Sequence, residues 1–408
     1  MKLLEIYEVR RGFAAVITTN LLYSFATFLP LVILPLYVNR LGASLVVTGL
    51  VISFYYITTT IFSVVWGVLS DAFGKRKIFL SSSLIGCAFV LFITSIVEVP
   101  IFVVLLMALF GFIASAFRPA VLAIVGTLAS TEERGKFFGF LTASTSLGYA
   151  IGSFSGGFVA QYISIQMSVV LAAILAGVGA IISLIFLRGV DRKGISVQLN
   201  PRLVFSILKR KFVPKNVNES YVKQGNLHVL FSVTFVRYIS FWGIWTLFAV
   251  YLSTILGASD FWVGILIAIS FVLAGAFFQP LAGKLCDIIG RKPMILIGLA
   301  GTSAVEIFYA LSPNFLWIIP AQFLLAFTFS CLENGNNCYV TDVTPETQRA
   351  EAMGLLTTCI FGGGAVGGLL GGMIAQIVGM QVMFLLMSIL PAAGFFVVLI
   401  KIKETLKR

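Results

Sequence analysis

Apolar residues in this chain gather into long runs that recur about every 30 residues, with short polar stretches between them. Twelve runs stand out, at 14–38, 46–69, 78–97, 101–125, 138–160, 166–187, 228–252, 261–283, 294–312, 315–340, 352–378 and 380–400. Each is near the ~20 residues that a helix needs to cross ~30 Å of hydrocarbon. The runs are rich in Leu, Ile, Phe, Gly and Ala and lack the ten-residue alternation of an outer-membrane barrel. A helix satisfies its own backbone polar groups in lipid. The pattern therefore predicts an all-α integral membrane protein with twelve transmembrane helices, numbered here as spans 1–12 in chain order.

Composition agrees. Hydrophobic residues make up 59% of the chain and charged residues 11%, against about 25% charged in soluble domains. So few charges cannot cover a water-facing surface, and the bilayer is the expected partner. The N-terminal apolar run is too long for a signal h-region, and no cleavable signal is expected. Of the 28 Lys and Arg, only Arg40 falls in a loop on the side away from the termini, and Arg118 and Arg237 fall within spans. The other 25 share the side of the termini, which the positive-inside rule makes cytoplasmic. A cell (plasma) membrane protein with both termini cytoplasmic is expected. The net charge of +12 thus reads as topology and lipid contact rather than nucleic-acid binding. The five cysteines follow no metal-ligand or disulfide spacing, and the single His228 has no metal partners in the pattern. No metal or cofactor is expected.

The chain repeats itself. Residues 67–77 read GVLSDAFGKRK and residues 283–293 read GKLCDIIGRKP, so Gly67, Leu69, Asp71 and Gly74 return as Gly283, Leu285, Asp287 and Gly290. Further matches at shifts of 215–216 include Leu41-Gly42-Ala43-Ser44 with Leu256-Gly257-Ala258-Ser259, and Gly148, Gly152 and Gly156 with Gly363, Gly367 and Gly371. Two six-helix halves follow, at 1–187 and 227–408, joined by a basic linker at 188–226. Parallel repeats place a pseudo-two-fold axis along the membrane normal and a substrate between the halves near the midplane.

The doubled elbow resembles the signature loop of the major facilitator superfamily, between spans 2–3 and 8–9. TEERGKFFG (131–139) and PETQRAEAMG (345–354) resemble its 4–5 and 10–11 loops. The resemblance covers nearly the whole chain and implies alternating access about a central cavity lined chiefly by spans 1, 4, 7 and 10. It also implies a conformational latch at Gly67, Asp71, Gly74, Lys75, Arg76, Gly283, Asp287, Gly290 and Arg291. GYAIGSFSGG (148–157) resembles the antiporter motif, although Ser153 stands where that motif has proline. Small residues at every fourth position also suffice as a helix-packing stripe.

Charges inside spans are costly and normally face a cavity or a partner. Arg118 lies in span 4 beside Pro119, Arg237 in span 7, and Glu333 in span 10. All three share a depth roughly 10–20 Å from the termini side, at ~1.5 Å per residue. Arg118 and Glu333 are 215 apart, so the repeat sets an arginine against a glutamate and predicts an ion pair, a shared proton and substrate site, or both. Glu333 is the first candidate proton carrier and Glu306 in span 9 the second. Asn20, Asn334, Asn337, Tyr23 and Trp242 are candidate cavity residues with the two arginines. The expected function is a proton-coupled secondary transporter of small organic solutes, acting as a monomer and not as an enzyme, with efflux of amphipathic compounds favoured. Uptake of an anionic metabolite is the alternative within the class; a non-transporting receptor is the alternative outside it.

Overall fold

The structure, a computed structural model, describes residues 2–128, 134–187, 226–346 and 348–406, with the side chains of 2–10, 71, 127–128, 134–136 and 350 excepted. The expected linker lies outside these residues apart from Asn226. The described regular elements are all helical. Spans 1–6 are Lys2–Arg40, Leu45–Phe73, Arg76–Ile96, the pair Pro100–Ala114 and Phe117–Leu128, Arg134–Tyr162, and Ile165–Phe186. Span 7 is Leu227–Thr254. Span 8 is Asp260–Val272 and Gln279–Ile289, joined by a π-helical segment, Leu273–Phe278. Spans 9–12 are Arg291–Leu311, Ile318–Val343, Arg349–Val378 and Met380–Lys401. Eleven of these twelve are long and apolar enough to cross a membrane. Span 5 is the twelfth, its hydropathy diluted by Ser, Thr and Gly.

The neighbours of each span repeat between the halves. Span 1 packs on spans 5 and 6, and span 7 on spans 11 and 12. Span 3 packs on span 6, and span 9 on span 12. The stripe Gly148, Gly152 and Gly156 faces span 1 at Leu21, Phe25 and Leu29, while Gly363, Gly367 and Gly371 face span 7 at Tyr238, Ile239 and Gly243. Lipid supplies no hydrophobic drive between helices, so close backbone approach through small residues is the main source of cohesion.

The halves meet along two seams, span 5 with span 8 and span 2 with span 11. At the first, a methyl on Gly157 would meet the Cα of Gly264 at 2.7 Å; at the second, a methyl on Gly49 would meet the Cα of Gly372 at 3.2 Å. Both residues of the second contact are 215 positions from those of the first, so one contact is made twice.

On the side away from the termini the seams are sealed by polar bonds. Arg40 donates to both carboxylate oxygens of Asp260, at 2.8 and 2.5 Å. The backbone N–H of Asp260, at the start of span 8, donates to Oε1 of Gln161 on span 5 (3.1 Å). The N–H of Leu45, at the start of span 2, donates to Oε1 of Gln376 on span 11 (2.9 Å). The first N–H groups of a helix have no partner within it; here each is supplied by the opposite half. Among the described residues, the hydrogen bonds joining the halves all lie on this far side.

One difference between the halves is a single residue. The repeat runs at a shift of 215 before the middle of span 8 (Gly49 to Gly264), at 216 from there through the elbow (Gly67 to Gly283, Gly74 to Gly290), and at 215 again by span 10 (Arg118 to Glu333). The extra residue is absorbed by the π segment, where the Gln279 N–H reaches back five residues to the Ala274 carbonyl. Pro280, which has no N–H to give the carbonyl four residues back, follows directly. Span 2 has no such interruption.

Candidate functional site

Between the halves lies a cavity of about 510 Å³ whose lining runs from Leu31 and Phe28 at midspan to Phe138, Thr142, Met353 and Thr357 near the termini side. It is closed on the far side by the seams just described. A volume of this size suits a small organic molecule, and the walls are largely aromatic. Tyr23, Tyr55, Tyr56 and Tyr149 come from the first half, and Phe241, Trp242, Trp245 and Phe329 from the second. Trp242 packs on Tyr56 across the halves, with ring centroids 4.5 Å apart, and its indole N–H has no partner among the described residues.

Arg118 reaches this cavity because span 4 breaks. Pro119 removes the N–H that would cap the Ser115 carbonyl, and the helix stops at Ala114 and restarts at Phe117. The carbonyls just before the break take side-chain donors from three other spans. Thr59 Oγ1 bonds Gly111 O (3.3 Å), Trp66 Nε1 bonds Phe112 O (2.9 Å), Ser83 Oγ bonds Ile113 O (2.9 Å) and Tyr23 OH bonds Ala114 O (2.8 Å). Broken helices survive in a membrane where neighbours satisfy the freed groups in this way. Tyr23 also stacks on Phe117, with centroids 3.7 Å apart. Arg118 follows, exposed to the cavity and, among the described residues, without a hydrogen bond or ion pair.

Glu333 lines the cavity from span 10. The expected ion pair with Arg118 is not formed: no N–O distance between them is within 4.0 Å, although each lies within electrostatic reach of the other. The carboxylate instead accepts from Gln279 Nε2 at 2.8 Å. The spacing of 215 fixes equivalent positions on facing helices, not the separation of two side chains across a water-accessible space.

Two cavity expectations, those for Arg237 and Asn334, are corrected. Arg237 does not line the cavity. It is fully buried behind the wall, its guanidinium against the rings of Tyr238, Phe241 and Phe329 at 4.5, 4.7 and 5.6 Å, and it bonds Thr302 at 3.3 Å. Depth along a helix was legible, but the angle around it was not: positions 238, 241, 242 and 245 face the cavity, and 237 and 240 face span 9. Glu306, the second proton candidate, is buried in the second half behind the cavity wall, where the Ser240 hydroxyl lies 2.7 Å from both its oxygens. Asn334 points sideways and donates to Gln279 Oε1 (2.8 Å) and Ser330 O (2.9 Å). Asn20 and Asn337 do line the cavity, and Asn20 also ties span 1 to span 5 through Leu141, Ser144 and Thr145.

Among the described residues, the elbow bonds run within each half. Gly74 ends span 2 in the left-handed conformation at φ 64°, and Gly67 lies against Pro119. Arg76 donates to Ala123 O at 2.9 Å. Arg291 donates to Asp342 at 2.7 Å and lies 3.4 Å from Asp287. Lys75 stands at the start of span 3, exposed and without a side-chain capping bond, and the side chain of Asp71 lies outside the described residues. Glu404, just past span 12, accepts from the N–H groups of Arg291 and Lys292 beside Gly290 (both 3.0 Å). Gln161, Gln376 and Gln279 escaped the sequence reading, although the first two lie 215 apart and carried the signal.

Two bundles of six helices related by a parallel repeat, with a polar-spotted cavity at their interface that the described residues close on the far side, have the architecture of a secondary transporter. The family model for the major facilitator superfamily matches residues 16–217 and 230–408, and the chain belongs to that family. It is 26% identical over 358 residues to an uncharacterized MFS-type transporter of Methanocaldococcus jannaschii, covering 86% of this chain and 88% of that one. It is 24% identical over 382 residues to the multi-drug resistance efflux pump PmrA of Streptococcus pneumoniae, covering 92% of each. Among solved structures, the nucleoside transporter NupG superposes with a TM-score of 0.77 at 16% identity, over 96% of this chain and 99% of that one. A POT family transporter does so with a TM-score of 0.74 at 15% identity, over 96% and 95%. The chain is a membrane transporter, not an enzyme.

Proposed function

We propose that this transporter couples protons to the movement of small amphipathic organic solutes, with export its main direction. The carrying observation is a half-buried carboxylate, Glu333, and a guanidinium, Arg118, that has no partner among the described residues, set in one aromatic cavity shared by both halves. Ionisable groups at membrane depth are retained where they do work. Aromatic walls bind apolar bodies of varied shape, and the resemblance to an efflux pump along 92% of the chain supports the same substrate class.

In this reading the termini side is cytoplasmic by the positive-inside rule, and the described state is open inward. Substrate enters among Tyr23, Trp242 and Phe329, the halves rock about the two seams, and the Arg40–Asp260 seal opens. Glu333 exchanges its proton with the outer side in the alternate state, so that proton entry drives export. The elbows, bonded within their own halves when the inner side is open, latch across the halves when it shuts. A monomer suffices, since the cavity is complete within one chain.

The test is transport by the purified protein in proteoliposomes under an imposed pH gradient, with a panel of fluorescent amphiphiles and small carboxylates. Gradient-driven movement of the amphiphiles is expected. Because Arg118 presents its charge to the cavity, an anionic substrate is the second reading. Movement of the carboxylates alone, abolished by Arg118→Gln, would select it.

A further inference from the structure

We infer that Gln279 is a positioning residue for proton coupling: it holds one oxygen of Glu333 and so directs the proton to the other. The inference rests on the reading of Glu333 as the proton carrier. Gln279 is the first residue after the π segment, and its amide orientation is not arbitrary. The Asn334 side-chain nitrogen, which can only donate, sits 2.8 Å from Gln279 Oε1. The other end of the Gln279 amide, the NH₂, therefore faces Glu333 and donates to Oε2 at 2.8 Å. Asn334 is itself held by the Ser330 carbonyl at 2.9 Å. The chain of bonds delivers a donor to Glu333 and no acceptor. Oε2 stays occupied in either protonation state, and Oε1, which has no partner among the described residues, is the oxygen left to take the proton. A donor on the ionised form stabilises that form.

The repeat marks this cluster as added rather than inherited. The positions matching Gln279, Glu333 and Asn334 in the first half are Ser63, Arg118 and Pro119, so three touching residues all differ from their counterparts. The extra residue that shifts the repeat from 215 to 216 is the one absorbed by the π segment immediately before Gln279. The first half bears on that segment as well. A methyl on Gly275 would meet the Ser146 side chain of span 5 at 2.6 Å. Movement along this seam therefore acts directly on the turn that carries Gln279, giving the rocking of the halves a mechanical route to the proton site.

The test compares wild type, Gln279→Met and Glu333→Gln in proteoliposomes, reading the pH at which gradient-driven transport is half-maximal. Met keeps the volume and removes the donor. The expected result is a midpoint moved upward by about one pH unit, a tenfold change in proton affinity. A coincident pH profile, with coupling lost in Glu333→Gln, overturns the role of Gln279 while leaving that of Glu333 intact. Coupling retained in Glu333→Gln defeats the reading of Glu333 instead. Should Gln279→Met not yield folded protein, Asn334→Ala frees the Gln279 amide to turn. Infrared titration of the Glu333 carboxyl band, assigned by its loss in Glu333→Gln, then reads the site without transport. That band is expected to titrate at higher pH in Asn334→Ala, and an unmoved band overturns the proposal.

Discussion

Removing the carboxylate charge of Asp260 should unseal the far side of the transporter. The Arg40–Asp260 pair makes two charge-assisted hydrogen bonds across the halves, with the Asp260 side chain 7% exposed and that of Arg40 44% exposed. Hydrogen bonds to charged groups contribute ~1.5–3 kcal/mol, and freely exposed ion pairs only ~0.2–1 kcal/mol. One buried and one half-exposed partner put this pair between the two, at about 1–2 kcal/mol, a factor of roughly 5–30 in population. A far-side-open state present at about 1% would rise to roughly 5–20% in Asp260→Asn. The backbone N–H of Asp260 keeps its bond to Gln161 in that variant, so the ion pair is isolated from the helix cap. Spin labels at Ala43 and Ile255, in a background lacking the five native cysteines, report the separation of the span 1–2 and 7–8 loops. Wild type should give one short distance, and Asp260→Asn a second, longer population. High salt should move wild type partway toward the variant, since the Arg40 side is open to screening. Identical distance distributions in the two proteins would refute the reasoning.

Other outcomes follow from the same geometry. Gly157→Val should hold the span 5–8 seam apart at Gly264, where even a methyl meets a Cα at 2.7 Å; the same spin-label pair should show the open distance as the main species. Tyr23→Phe leaves the Ala114 carbonyl at the span 4 break without its donor and should cost about 1–2 kcal/mol, read as a lower Tm of the purified protein. Burial pushes the Glu404 carboxyl up, but the N–H groups of Leu406, Arg291, Lys292 and Thr405 outweigh it and hold the group below the ordinary carboxylate range. A depressed folded-state value stabilises above the unfolded value of ~4.3 and is lost as pH falls through the folded one. Glu404→Gln should thus lower Tm at pH 7, with the difference from wild type closing at pH values below about 4.

The twelve spans and the two halves were legible because lipid enforces long apolar helices and a repeat enforces matching glycines. Gly157 with Gly264 and Gly49 with Gly372 are one contact printed twice in the sequence. The change of shift from 215 to 216 was visible, but only the structure traced it to the π segment between Val272 and Gln279. The cavity was read less well. Arg118, Glu333, Asn20, Asn337, Tyr23 and Trp242 reach it, whereas Arg237 and Asn334 turn away. Spans here are polar-poor on every face, so hydropathy gives depth but little rotation, and a charge on such a helix does not reveal which neighbour it meets. Gln161 and Gln376 were missed because their match at 215 does not say what either meets until the helix start it caps, in the other half, is known.

The claim at the centre of this account is that Glu333 carries the coupled proton. The most direct measurement compares wild type with Glu333→Gln in proteoliposomes, for accumulation driven by a pH gradient and for exchange of labelled against unlabelled substrate. Exchange should persist in Glu333→Gln, because the cavity and its seams are intact, while gradient-driven accumulation falls to background. Accumulation at the wild-type level in the variant would contradict the claim.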